Sequence, residues 1–202
     1  MATSGSLSMK YPLTIYPNGT EGYGELVVKY GDKVLAKITV DMPERVETAK
    51  IGDTIYYSLK EALAAAQSGD TIVLITDLVQ TSGITIPADK NIVLDLNGHS
   101  ISAPDNIITN RGTLILLGGN LETPGKLIAT NASGSAAASA AILNYGTIAT
   151  IGGNLTIETG AGGIYAASGS YIGTIGGDNS NIVVNTNGNS LTVNGATVNK
   201  IG

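Results

Sequence analysis

From Lys50 onward, apolar residues arrive in short β-branched bursts that alternate with polar positions and end at Gly, Asn or Pro. Thr71-Ile-Val-Leu-Ile-Thr76, Ile84-Thr-Ile86 and Asn91-Ile-Val-Leu-Asp-Leu96 follow this rule, and each predicts a short strand bounded by turns. Ile51-Gly-Asp-Thr-Ile-Tyr-Tyr57 predicts another. One stretch obeys a different period. In Ser58–Gln67 the residues Leu59, Ala62, Leu63 and Ala66 fall at helical spacing and give one narrow apolar face. Ser58 and Glu61 form a Ser-x-x-Glu capping box at its start, and Gly69 stands where a helix C-terminal glycine belongs. The pattern predicts many short strands and one helix at 58–67, whose task is to cover the open end of a strand stack.

The bursts also repeat. Ile108-Thr-Asn-Arg-Gly-Thr-Leu-Ile-Leu-Leu-Gly-Gly-Asn120 returns as Ile142-Leu-Asn-Tyr-Gly-Thr-Ile-Ala-Thr-Ile-Gly-Gly-Asn154. A looser third copy runs from Ile164 to Asp178. The Gly-Gly turns begin at Gly118, Gly152 and Gly176, spaced by 34 and then 24 residues. The longer interval holds Asn131-Ala-Ser-Gly-Ser-Ala-Ala-Ala-Ser-Ala140, a small-residue run that loops out of a shorter unit. A unit of roughly 20–25 residues holds two or three strands plus turns, which is one coil of a parallel β-solenoid. Leucine-rich repeats share that period, but their Leu-x-x-Leu-x-Leu-x-x-Asn pattern is absent. One coil cannot bury its own apolar face, so stability belongs to the stack. Gly and Asn at the corners supply left-handed backbone, and the three glycine pairs are expected to stack like steps.

The first residues read differently. Met1–Lys10 is a small-polar arm, followed by strands at Tyr11–Tyr16, Gly24–Tyr30 and Val34–Val40 around the turns Pro17–Gly22 and Gly31–Lys33. Four of the nine Lys and four of the seven Glu precede residue 48, after which charge thins sharply. The expected organisation is an arm plus small antiparallel docking module over 1–47 and a parallel β-helix over 48–202.

Composition narrows the function. Charged residues make up 13% with a net charge of −5, so there is no basic stripe for nucleic acid. With no cysteine, disulfides, thiolate catalysis and cysteine-held zinc are excluded. Met1–Lys10 lacks the basic start and apolar core of a signal peptide, and no apolar run reaches spanning length, so membrane insertion is not expected. The chain is then retained in the cytosol, released by lysis, or relieved of an export signal. After Lys126 only Glu158, Asp178 and Lys200 are charged. A monomer normally mixes charge over its whole surface. So plain a flank, with no charged or helical cap after Lys200, predicts a homo-oligomer, with a side-by-side trimer favoured; the alternative is an ordinary neutral solenoid surface.

Three segments carry a family likeness. Gly52-Asp-Thr-Ile-Tyr-Tyr-Ser-Leu-Lys-Glu-Ala-Leu63, Gly69-Asp-Thr-Ile-Val-Leu74 and Ile84-Thr-Ile-Pro-Ala-Asp-Lys-Asn-Ile-Val-Leu-Asp-Leu-Asn-Gly-His-Ser-Ile101 resemble the opening of pectate-lyase-like right-handed β-helix proteins. The likeness is closest to the versions in bacterial surface and phage structural proteins. It covers residues 51–102 well, the later repeats loosely and 1–47 not at all. It implies an all-β fold, a right-handed parallel β-helix with one short capping α-helix preceded by a small antiparallel β module. It implies activity only weakly, since lyases, hydrolases, adhesins and passive spikes share this fold.

Catalysis on such a fold needs acids or a base on the lateral face. Lyases of the resembled family use an acidic calcium cluster with an arginine base, and the hydrolases use paired aspartates with His-Gly. Here Asp-Asp pairs, Asn-Thr-Asp and Arg-x-Lys runs are absent, and Arg45 and Arg111 are the two arginines. Asp95 reads as a turn partner, His99 as a turn cap, and Glu158 with Asp178 as a solvated pair able to approach on neighbouring coils. No catalytic, cofactor-binding or metal-binding residue is assigned, and no cofactor is implied. The Gly-Gly-Asn turns lack the recurrent Asp of calcium-binding nonapeptide solenoids. Asn18, Asn131 and Asn154 begin Asn-x-Ser/Thr triplets that chance explains in so Asn- and Thr-rich a chain. Tyr145, Tyr165 and Tyr171 lie on or near repeat corners, as stacking residues or as a weak sugar-contacting surface.

The expected function is a non-catalytic structural protein on a phage virion surface, a head fibre or capsid decoration protein. It would dock to a capsid or other virion protein through residues 1–47. The alternative is a bacterial cell-surface adhesin module binding host or cell-surface glycan; a polysaccharide lyase or hydrolase is the third reading.

Overall fold

The computed structural model describes residues 22–42, 45–132 and 139–202. The expected arm, the strand Tyr11–Tyr16 and Asn18 lie outside the described residues. The chain divides into two compact units between Val46 and Glu47. In the first, β1 (Gly22–Tyr30) and β2 (Lys33–Met42) form an antiparallel hairpin, with Tyr30 opposite Lys33 and Gly31 at φ +60°. Both strands outrun their predicted spans, and the ladder slips by one residue between Val28 and Lys29.

The second unit is a parallel β-solenoid of about five turns. Its coils each contribute one strand to three faces. The first coil is β5 (Thr71–Leu74), β6 (Leu78–Val79) and β7 (Ile84–Ile86). The second is β8 (Asn91–Asp95), β9 (Ser100–Ala103) and β10 (Ile108–Asn110). Then come β11 (Thr113–Leu117), β12 (Gly125–Ala129) and β13 (Ile142–Asn144), followed by β14 (Thr147–Gly152), β15 (Asn154–Thr159) and β16 (Ile164–Ala166). The fifth coil is β17 (Tyr171–Ile175), β18 (Asn181–Thr186) and β19 (Leu191–Val193), after which β20 (Thr197–Ile201) lies on β17.

At the N-terminal end a hairpin and a helix cover the stack. The strand expected over 51–57 is instead two, β3 (Ala49–Ile51) and β4 (Thr54–Tyr56), because Gly52 at φ +57° reverses the chain. β3 pairs antiparallel with β5. The helix α1 spans Leu59–Ala65 and buries Leu59, Ala62 and Leu63. Its N-cap is Ser58, whose side chain accepts from the Glu61 N–H, while Glu61 Oε2 reaches back to the Tyr57 N–H. The helix ends at Ala66, so Gly69 is not its C-terminal glycine; its φ of +94° instead serves the Gln67–Asp70 turn into β5.

Columns of identical chemistry form the core. Ile72, Leu94, Leu116, Ile151, Ile175 and Ile201 are successive partners on the first face, and Ile84, Ile108, Ile142, Ile164 and Leu191 on the third. Most of the extra length of the third coil lies at one corner. Residues 130–141 join β12 to β13, whereas four residues make the same connection in the other coils. Of the expected loop-out, residues 133–138 lie outside the described residues.

The glycine steps need two corrections. Leu114 faces Ile148 but Ile115 faces Thr150, so Leu117, not Gly118, sits opposite Gly152. Ala149 is the extra residue, and it lets Ile151 point inward beside Leu116. Left-handed backbone is also not what Gly119 supplies. A Cβ there would lie 2.0 Å from the Thr123 carbonyl oxygen, so close approach of two turns requires glycine.

Candidate functional site

The three tyrosines gather around one edge of the solenoid, where the third face turns into the first. Tyr165 lies in β16 between Leu143 and Thr192, and its hydroxyl accepts a 2.7 Å bond from Asn194 Nδ2. Tyr171 opens β17 beside Thr147, two residues beyond Tyr145 on the preceding coil. Tyr145 is 44% exposed and Tyr171 39%. The Arg111 guanidinium, one coil before Tyr145, sits 5.1 Å from its ring centroid, within cation–π reach. These contacts fit the stacking role. None of the tyrosines lines the concavities of about 450, 370 and 290 Å³.

The acids stay apart. Glu158 lies opposite Asn185, four residues along β18 from Asn181, while Asp178 sits in the turn before β18. Roughly 13 Å of strand separates them, so the approach that neighbouring coils could have allowed does not occur. Asp95 accepts from the Asn97 N–H within its own turn, as expected. Asn154 is buried, and its backbone pairs with Gly119, which removes it as a glycan acceptor. Among the described residues no three His, Cys, Asp or Glu come together as metal ligands.

His99 has a neighbour that sequence reading missed. Its backbone N–H closes a turn onto the Leu96 carbonyl, and its Nδ1 lies 3.6 Å from Asp77 Oδ1 on the previous coil. Asp77 precedes His99 by 22 residues, the offset that also relates β8 to β11, so the coil period was the available signal. The Ser100 N–H at 2.7 Å is the main force holding the Asp77 carboxyl below its usual range, helped by the Ser100 hydroxyl and by His99. The trio ties two successive coils together.

A lowered carboxyl stabilises the fold fully above its unfolded value, and the gain is lost as pH falls through its folded value. Wild type is therefore expected to lose part of its urea midpoint below about pH 4, a part that Asp77→Asn lacks. Asp77 is mostly exposed, so the difference is small, and equal slopes for both proteins from pH 5 to 2 would contradict it.

The corners of the first two copies hide their polar residues inside. Asn110 and Asn144, expected at corners, are fully buried and stacked, with Asn110 Nδ2 donating to Asn144 Oδ1 at 2.8 Å and to the Thr147 carbonyl at 3.0 Å. Asn144 Nδ2 continues to the Tyr171 carbonyl, so side-chain amides link three successive corners.

Compared with family models, with curated proteins and with solved structures, the chain matches none.

Proposed function

We propose that this is a non-catalytic structural protein that projects from a surface, most concretely a phage virion component of the head-fibre or capsid-decoration type. The reading is supported above all by where the ionisable and amide groups go. Asp77, Asp95, His99, Asn110 and Asn144 are engaged in turns and inter-coil ties, and the two acids of the later coils are held apart. The resemblance of residues 51–102 to β-helices of bacterial surface and phage structural proteins points the same way. The N-terminal unit is the docking module, the partner a capsid or other virion protein, and the β-solenoids associate as a homo-oligomer, a trimer first.

Immunogold labelling of particles and cells from the source culture tests the reading, with label expected on intact virions and a trimer mass expected from light scattering. Label on cell envelopes alone would transfer the protein to the second reading, an adhesin module, which the exposed Tyr145 and Tyr171 favour. Polyuronide turnover that disappears on Glu158→Gln or Asp178→Asn would make it an enzyme.

A further inference from the structure

The third face ends at β7, the outermost strand of its five-stranded sheet. Ile84 donates to Ile107 and Ile86 accepts from Arg111, so both residues turn their backbone groups toward the second coil. Backbone groups alternate in direction along a parallel strand, so the N–H and C=O of Thr85 point the other way, off the sheet. On that side α1 covers the interior of the coil but leaves a cleft of about 450 Å³ between itself and the strand. Leu63 and Ile84 form an apolar floor, Thr85 is exposed along it, and Lys60 and Lys90 line it with no acidic residue among its lining. Lys90 gives one of its donors to the Ala66 carbonyl at the end of the helix, which fixes the ammonium at the cleft while leaving two donors.

We infer that this cleft takes an extended acidic peptide segment of a partner protein, which adds to β7 as a further strand. The Thr85 N–H and C=O supply the backbone pairing, the apolar floor takes one inward side chain, and the two ammonium groups select carboxylates. A three-residue strand followed by Pro87 and flanked by lysines is ill suited to indiscriminate edge pairing. The same features make the edge selective, because a basic or bulky strand meets Lys60 or Pro87 first. The small contact makes the docking transient rather than permanent. It is independent of whether the surface that carries the protein is viral or cellular.

The test uses the full chain and two short fluorescein-labelled peptides of alternating Val and Thr, one ended by Asp and the other by Lys. The Asp-ended peptide is expected to bind about tenfold more tightly than its Lys-ended counterpart by anisotropy, and Lys60→Glu to reverse the preference. Nuclear magnetic resonance should show the Thr85 amide shifted and slowed in exchange by the Asp-ended peptide. Thr85→Pro removes a donor that no internal bond uses, so it should abolish binding at an unchanged melting temperature. Equal affinity for both peptides, binding by neither, or an unmoved Thr85 amide would overturn the inference. So would tetragalacturonate shifting Lys60 and Lys90 where the peptide does not, since the cleft would then hold a glycan.

Discussion

Replacing Leu116 by alanine is expected to lower stability by about 3 kcal/mol, whereas Ile201→Ala changes it by less than about 1 kcal/mol. Both residues occupy one column on the first face, but Leu116 is fully buried between Leu94 and Ile151, while Ile201 closes the column at 66% exposure. A mid-stack cavity loosens contacts on two sides. In a quasi-one-dimensional array each coil is held only by its neighbours, so position along the axis sets the penalty. Denaturant unfolding curves measure both variants, and similar midpoint shifts would show that the coils do not transmit packing in this way.

Asn144→Ala carries the second large effect, a loss of about 2–4 kcal/mol, against less than about 0.5 kcal/mol for the exposed Asn91→Ala. The substitution leaves Asn110 Nδ2 without its side-chain acceptor, the Gly146 N–H without the oxygen it reaches at 3.3 Å, and the Tyr171 carbonyl without its side-chain donor. All three lie in or beside the core, where water does not replace the lost partner cheaply. Asn144→Leu should not rescue stability, because volume is restored but none of the bonds is. If leucine recovers the wild-type midpoint, the site is packing and the amide ladder is incidental.

Much of the solenoid is legible in the chain because its physics is repetition. Ile108, Ile142 and Ile164 sit at matching places in three copies and prove to be direct neighbours, and Ser58 marks the helix start at the residue where it forms. What escapes is whatever depends on pairing between coils. The strand β6 is only Leu78–Val79, too short to announce itself beside Asp77. Asn110 and Asn144 look like corner residues by type, yet the alternation of β10 and β13 directs them inward, and only a facing amide makes that burial tolerable. The tyrosines stand out in the sequence because each lies on or near a repeat corner. The cleft beside β7 has no motif, since Lys60 and Lys90 are brought together only when the helix folds over the coil.

The slip at Ala149 has a further consequence. In the third copy Ile172 and Ile175 face Ile148 and Ile151, and in the last strand Val198 and Ile201 face them in turn, so every coil beyond the third carries one additional residue between its two inward positions. The mismatch is a dislocation at a single interface, with two internally consistent lattices on either side. Excising Ala149 would not heal it. The fault would move one coil along, to lie between Ile148–Ile151 and Ile172–Ile175, and only a coordinated removal of Ala149, Gly173 and Asn199 would make the crystal-like order continuous from end to end.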